Sequence, residues 1–388
     1  MTGGPGHCSR LGWTFSQVVH VDPLLQAKEK HDGTGILILP NDCLNLPNCV
    51  AIVARLAQFA VILRLGNQDF VAKNTHNGAV LAADRGRELK LELASRVARL
   101  IGSAQKQATA VPRLTLLQRT APTGACHATY EPGVIVVAQG RKEVQIGTDT
   151  LTYDSSRYLL TSVDLPTVTR VAEASEDNPC LAISLKLDIS IIRELLSREE
   201  FPLSGAPLDS PAMSTGPVTV EFLSAWCRLL DLLSTPEDIP FLSGFIEREI
   251  MYRILRGPEG ARLRAIATLG DQSHRTAKAI AWIKANYGRP LRVKELADVA
   301  GMAVTTLHHH FRALTAMSPL QYQKQIRLQA ARARMLADDV DAATVAFEVG
   351  YESASQFNRE YSRLFGQPPI RDIRSLRSPA APPLESVS

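Results

Sequence analysis

From about Arg87 onward apolar positions recur with one of two periods, and the change from one to the other divides the chain. Residues 1 to about 85 alternate apolar pieces, Ile36–Leu39 and Ile52–Leu65, with Asn, Gly and Asp and keep no clean period. From near Arg87, Leu89, Leu93, Val97 and Leu100 fall at i, i+4, i+8 and i+11, which predicts a helix. Between Val111 and Leu187 the runs become short, β-branched and bounded by Pro, Gly, Asp or Asn. Leu114–Leu117, Val134–Ala138, Glu143–Ile146, Thr150–Tyr153, Tyr158–Ser162, Thr169–Ala172 and Leu181–Leu187 read as strands of an antiparallel barrel or sandwich. Gln139-Gly140-Arg141-Lys142 and Ile146-Gly147-Thr148-Asp149 are its expected tight turns. After Asp188 the helical period returns over Ile189–Leu196, Val218–Leu233 and Phe241–Leu255. The stripe Phe222, Leu223, Trp226, Leu229, Leu230 and Leu233 packs internally or against a second copy, internal packing being the commoner use. Gly257-Pro258 breaks the last helix, and Ala261–Gly270 leads onward.

An internal repeat then dominates the C-terminal third. Leu307, Phe311, Leu314, Ala316 and Pro319 recur 50 residues later as Phe357, Tyr361, Leu364, Gly366 and Pro369. Upstream, Ala297 and Gly301 recur as Ala346 and Gly350 at an offset of 49, so the second turn holds one extra residue. Each copy reads as helix, Gly turn, helix, with small residues letting the helices cross closely. Pro319–Ala337, free of internal Gly and Pro, predicts one long helix joining the copies. Lys324, Arg327, Arg332 and Arg334 punctuate it, mostly as a solvated face, with some expected at phosphates.

Helical geometry sorts the second helix of each copy. On a wheel of about 100° per residue with Leu307 at the origin, Phe311 and Leu314 define the buried face. Thr305, His308, Arg312 and His309 fall between about 100° and 200° and face outward. The same wheel on the second copy buries Phe357, Tyr361 and Leu364 and exposes Ser355, Asn358, Ser362 and Arg359. All the exposed side chains can donate hydrogen bonds to base edges or phosphates. Two plain helical hairpins would need neither the repeated Ala-x-x-x-Gly turn nor matched polar faces. His308-His309-His310 cannot chelate one ion, because consecutive helical residues diverge by about 100°.

Charge agrees with this placement. Residues 271–388 hold 16 Lys+Arg against 11 Asp+Glu, whereas the whole chain nets +4, so the basic excess lies in the C-terminal third. Six cysteines, at 8, 43, 49, 126, 180 and 227, form no C-x-x-C pair and are expected to be reduced. No apolar run is long and uncharged enough for a membrane span, and Met1–Arg10 lacks a secretory pattern, so a cytoplasmic location is expected.

At these residues the sequence resembles the AraC/XylS family of bacterial transcription regulators. Ala277–Leu376 is similar to that family's double helix-turn-helix domain, including Met317-Ser318-Pro319-Leu320-Gln321-Tyr322, Val349-Gly350-Tyr351-Glu352-Ser353 and Phe365-Gly366. Val111 to about Leu195 is similar to the cupin-like N-terminal domain of one subgroup, through Ala138-Gln139-Gly140-Arg141-Lys142, Tyr153-Asp154 and Val163-Asp164-Leu165-Pro166. The resemblance implies that the second helix of each unit enters the major groove of duplex DNA, the two grooves about one turn apart. Carried over by residue, it implies contacts from Thr305, His308 and His309 and from Ser355, Gln356, Asn358 and Arg359; of these the wheel leaves out only Gln356. Three positions depart from the pattern: Ala303 replaces a small hydroxyl residue, His309 stands where Arg is common, and Ala316 replaces Gly.

The fold expected is therefore α+β: a cupin-like antiparallel barrel with a helical linker, then an all-α double helix-turn-helix domain. The boundaries read as an unassigned extension over 1–86, the barrel over 87–200, the helical linker over 201–270, the DNA-binding domain over 271–376 and a disordered tail over 377–388. A start of translation near Val80 and a genuine extra domain are the two readings of the extension. His127 is the barrel's only histidine, so the metal-binding H-x-H of cupins is missing. Neither a metal, a cofactor nor a catalytic residue is expected, and the protein is expected not to be an enzyme. A sensor cavity and a purely structural barrel both stand as readings, with Cys126 and Cys180 as candidate redox reporters or inert core residues. Expected partners are double-stranded DNA, RNA polymerase, a small-molecule effector and a second copy. The alternatives are a small-molecule enzyme or a non-DNA scaffold built on the barrel.

Overall fold

A computed structural model describes residues 83–198, 211–338 and 340–377, together with the backbone of three short strands nearer the N-terminus. It divides into two compact units, Met1–Leu81 and Ala82–Ser388. In the first, β1 (Arg10–Thr14), β2 (Gln26–Glu29) and β3 (Thr34–Ile38) form an antiparallel sheet in the order β1-β3-β2. The apolar piece Ile52–Leu65, the start near Val80 and the tail over 378–388 lie outside the described residues.

The second unit opens with helix α1, residues 83–101, which starts before the expected Arg87. Strands β4 (Lys106–Ala108), β5 (Leu114–Arg119), β6 (Cys126–Tyr130), β7 (Gly133–Gln139), β8 (Arg141–Ile146), β9 (Asp149–Asp154), β10 (Arg157–Thr161), β11 (Leu165–Glu173) and β12 (Cys180–Lys186) follow. With β13 (Met213–Pro217) they form two antiparallel sheets, of order β13-β10-β7-β12-β5-β4 and β6-β11-β8-β9.

The pleat explains why the central strands read as unbroken apolar runs. On β7, Val134, Val136 and Ala138 pack with a helical layer, while Ile135 and Val137 point the other way into the barrel. On β12, Leu181, Ile183 and Leu185 face the helices, and Cys180 and Ala182 face the barrel. A sheet buried on both sides loses the polar alternate positions that mark a half-exposed strand. The covering layer consists of α1, α2 (Ile189–Arg198), α3 (Val220–Asp231), α4 (Ile239–Arg256) and α5 (Gly260–Ala267). Phe222, Leu223, Trp226, Leu229 and Leu230 are buried in it, so the stripe on α3 serves internal packing.

Inside the barrel, Tyr130, Tyr153, Val144, Leu159 and Val171 fill the space, and Tyr130 Oη lies 3.1 Å from Tyr153 Oη and 3.0 Å from Thr169 Oγ1. Lys142 stands opposite Tyr153 and is only 2% exposed, so it belongs to β8 and not to the preceding turn.

The helical linker over 201–270 needs correction. Within it, Met213–Pro217 is a strand paired with β10 along Arg157↔Pro217 to Thr161↔Met213. Met-Ser-Thr-Gly-Pro carries neither alternation nor β-branched weight, so the pairing is imposed by tertiary contacts. Arg157 donates to Thr215 Oγ1 at 2.9 Å and to its carbonyl at 2.6 Å, and the Ser162 amide donates to the Ala212 carbonyl at 2.8 Å.

Candidate nucleic-acid interface

Seven helices make up the repeated region: α6 (Gln272–Ala285), α7 (Val293–Ala300), α8 (Val304–Thr315), α9 (Pro319–Ala337), α10 (Ala342–Glu348), α11 (Ala354–Phe365) and α12 (Pro369–Arg377). Arg377 is part of α12 and donates to the carbonyls of Met335 and Asp338, so the tail begins after it. Helices α8 and α11 have 12 residues each and sit 50 positions apart.

Each is seated by the side chains that the repeat singles out. Leu296, Ala297, Leu307, Phe311 and Leu314 are buried in the first unit; Val345, Ala346, Phe357 and Tyr361 are buried in the second. Gly301 ends α7 in the left-handed region at φ 64°, as expected. Gly350 has φ 92°, and a Cβ there would lie 2.2 Å from the Gly288 carbonyl oxygen, which no side chain could accommodate.

Thr305, His308, His309 and Arg312 on α8, and Ser355, Gln356, Asn358 and Arg359 on α11, are all solvent-exposed. The wheel missed Gln356 because it lies near the border of the outward face; its spacing from Glu360, one turn on, is the signal that would have found it. The His309 ring packs edge-on against His310 at 5.2 Å. Among the described residues, no group of three or more His, Cys, Asp or Glu is placed to hold a metal ion.

Helix α9 fixes one unit relative to the other. Ser318 and Gln321 form a reciprocal capping box at its start, with Pro319 in the first turn. Arg327 donates to the carbonyls of Tyr287 at 2.6 Å, Gly350 at 2.8 Å and Arg289 at 2.9 Å, which ties the loop before α7 to the turn of the second unit. Arg332 pairs bidentately with the buried Asp372 at 2.8 and 2.7 Å, and Tyr361 Oη donates to the same carboxylate at 2.6 Å. Neither arginine lies on a solvated face. Lys324, a candidate phosphate contact from sequence, lies 2.9 Å from Glu360 Oε1 instead.

Helices α8, α9 and α11 also touch the barrel. His127 and Gln145 both stand opposite Val168 on the outer face of the four-stranded sheet. The His127 ring meets Phe365, the last residue of α11, edge-on at 5.1 Å. Burial, reinforced by the nearby Arg332 charge, holds the His127 imidazole below its ordinary range. A crevice of about 430 Å³ lies between this sheet and helices α9 and α11, lined among others by Gln145, Val168, Lys324, Leu328, Glu360 and Arg363. Beside it, Lys284 Nζ bridges Glu131 at 3.0 Å and Asp164 at 2.5 Å, and the Tyr322 hydroxyl donates to the Asp164 carbonyl at 2.8 Å. The Ala212 amide donates to the Leu314 carbonyl at 2.8 Å, and one buried cluster runs from the barrel interior into the first helical unit.

Comparison with known proteins adds the following. Residues 110–262 match the family described as AraC-type transcriptional regulator N-terminus, and residues 296–374 match a helix-turn-helix domain family. The HTH-type transcriptional activator RhaS of Yersinia pestis (strain Pestoides F) is 31% identical over 105 residues, 27% of this chain. The match spans 38% of that relative's length. Among solved structures, ToxT from Vibrio cholerae is similar over 71% of this chain and 100% of its own, with a TM-score of 0.47 and 12% identity. The DNA-binding domain of AdpA, solved in complex with a target DNA, is similar over 26% of this chain and 93% of its own, with a TM-score of 0.25 and 28% identity. The chain thus joins a region that matches the AraC-type transcriptional regulator N-terminus, built here as an antiparallel barrel, to a region that matches a helix-turn-helix domain, built on a repeated helical unit.

Proposed function

We propose that the chain is a sequence-specific DNA-binding transcription regulator whose helices α8 and α11 lie in two adjacent major-groove segments. The observation that carries this is the pair of equal helices on repeated units, each turning its polar side chains to solvent while α9 fixes one against the other. In this reading Arg359, Asn358, Gln356 and Ser355 read one segment, and Thr305, His308, His309 and Arg312 read the other. The proposal includes RNA polymerase as the machine acted upon, a second copy of the chain as a partner and the bacterial cytoplasm as the place of action. Control by a small molecule belongs to it too, acting through the contact between the barrel and the reading helices.

The test is selection of duplexes from a random pool by the full chain, followed by titration of the selected site. Arg359→Ala is expected to weaken that site by about 1–3 kcal/mol and to relax the preference at one base pair, with random DNA little affected. Affinity should fall steeply with salt. Equal loss on random and selected duplexes, or no salt-sensitive binding to any duplex, would overturn the reading.

A further inference from the structure

Glu360 lies on α11 one turn beyond Gln356, with its side chain 17% exposed. Three donors converge on its carboxylate. Lys324 Nζ lies 2.9 Å from Oε1, Tyr351 Oη donates to Oε2 at 2.9 Å, and Gln356 Nε2 donates to Oε1 at 3.3 Å. Burial opposes ionisation of this carboxyl, but the hydrogen bonds from Lys324, Tyr351 and Gln356 outweigh it and bring the group below the ordinary carboxylate range. The carboxylate is therefore an acceptor only.

That has a geometric consequence for a residue expected in the groove. Facing an acceptor-only partner, the Gln356 amide must turn its NH₂ inward. One amide hydrogen is then committed to Glu360, which leaves the other hydrogen and the carbonyl oxygen free, side by side. In the major groove only adenine presents the complement of that pair, an N6 amine that donates beside an N7 that accepts. Guanine offers two acceptors there, one of which would meet the Gln356 oxygen.

We propose that Glu360 is a positioning residue that sets the Gln356 amide to read adenine, and that the segment under α11 carries an adenine at that base pair. The proposal rests on the DNA-reading function above. Lys324 and Tyr351 alone would neutralise and satisfy the carboxylate, so the bond to Gln356 has an effect that a merely structural role would not have.

The experiment uses the full chain as wild type, Q356A, E360Q, E360M and the double variant Q356A/E360M, each selecting duplexes from one random pool. Wild type is expected to enrich adenine at one position that Q356A flattens. In E360Q, Lys324 keeps the new amide's oxygen at the place of Oε1, which Gln356 also faces, so Gln356 keeps its orientation and its adenine preference. All other positions should hold. E360M, which offers no strong acceptor, leaves Gln356 free to turn over, so preference for adenine over guanine at that position should fall about 3- to 10-fold, part of the discrimination of one bidentate pair, and the double variant should lose no more than Q356A alone. Thermal unfolding and affinity for random duplex at low salt report whether each variant is folded. A folded E360M that keeps the adenine preference, a folded E360Q that loses it, or either one relaxing every position alike overturns the proposal while leaving DNA reading intact. A folded wild type that enriches no sequence removes the DNA-reading premise and this proposal with it.

Discussion

Ala316 closes α8 in the left-handed region, at φ 59°, where a Cβ crowds the following carbonyl and glycine does not. Its counterpart Gly366 sits at φ 78° without that penalty. Ala316→Gly is expected to stabilise the protein by about 1 kcal/mol, read as a higher denaturant midpoint at unchanged slope. The opposite sign is expected at Asp372, whose side chain is 6% exposed while that of its partner Arg332 is 11% exposed. Asp372→Asn leaves the guanidinium buried without its counter-charge and is expected to cost about 3–5 kcal/mol, measured by the same unfolding curve. The strain at 316 was legible in the sequence, because the repeat aligns an alanine with a glycine. The burial of Arg332 was not, since a charged residue on a long helix looks the same whether it meets water or a distant aspartate.

Helices α8 and α11 share length and spacing but start differently. Ser353 caps α11 by accepting from the Gln356 amide, whereas Ala303, in the same extended conformation, offers α8 no side-chain acceptor. Ala303→Ser is expected to add about 1 kcal/mol of local stability, visible as slower amide exchange in the first turn of α8 and unchanged exchange in α11. The helices were readable because their apolar residues recur at i, i+4 and i+7 and their turns carry glycine; α9 runs over Pro319–Ala337 as the sequence predicted. Strands were readable where both faces are apolar, as in β7 and β12. Met213–Pro217 and Cys126–Tyr130 escaped because their places depend on partners remote in sequence, β10 in one case and β11 in the other. Lys142 escaped for a related reason: a lysine beside Gly140 looks like turn surface until the register sets it opposite Tyr153.

At the scale of the molecule, the barrel and the C-terminal helices are held together by charge as well as by apolar contact. Lys284 lies between Glu131 and Asp164, and Glu131 also takes Lys186 at 2.5 Å. Burial opposes the charge of Glu131, but the two lysines still bring its carboxyl below the ordinary range, so its contribution is present above that range and is lost as pH falls through the depressed value. Burial likewise disfavours charged Lys284, yet Asp164 and Glu131 raise it, so its contribution holds below the ordinary lysine range and is lost as pH rises through the raised value. The contact is expected to be strongest between those limits. A fluorophore pair on the barrel and on α12 should report separation on acidification, and Lys284→Met should abolish the acid step. An unchanged pair distance across that range would count against the clamp.

Because the same buried cluster passes from the barrel interior into α6, α7 and α8, the seam near Gly270 is a poor place to cut. A hybrid that joins the helices from α6 onward to a foreign N-terminal domain there would leave Leu314 and Tyr322 facing a surface that never evolved to cover them. Grafts that carry β6, β11 and β13 along with these helices should stay monodisperse, whereas those spliced at the seam should clump.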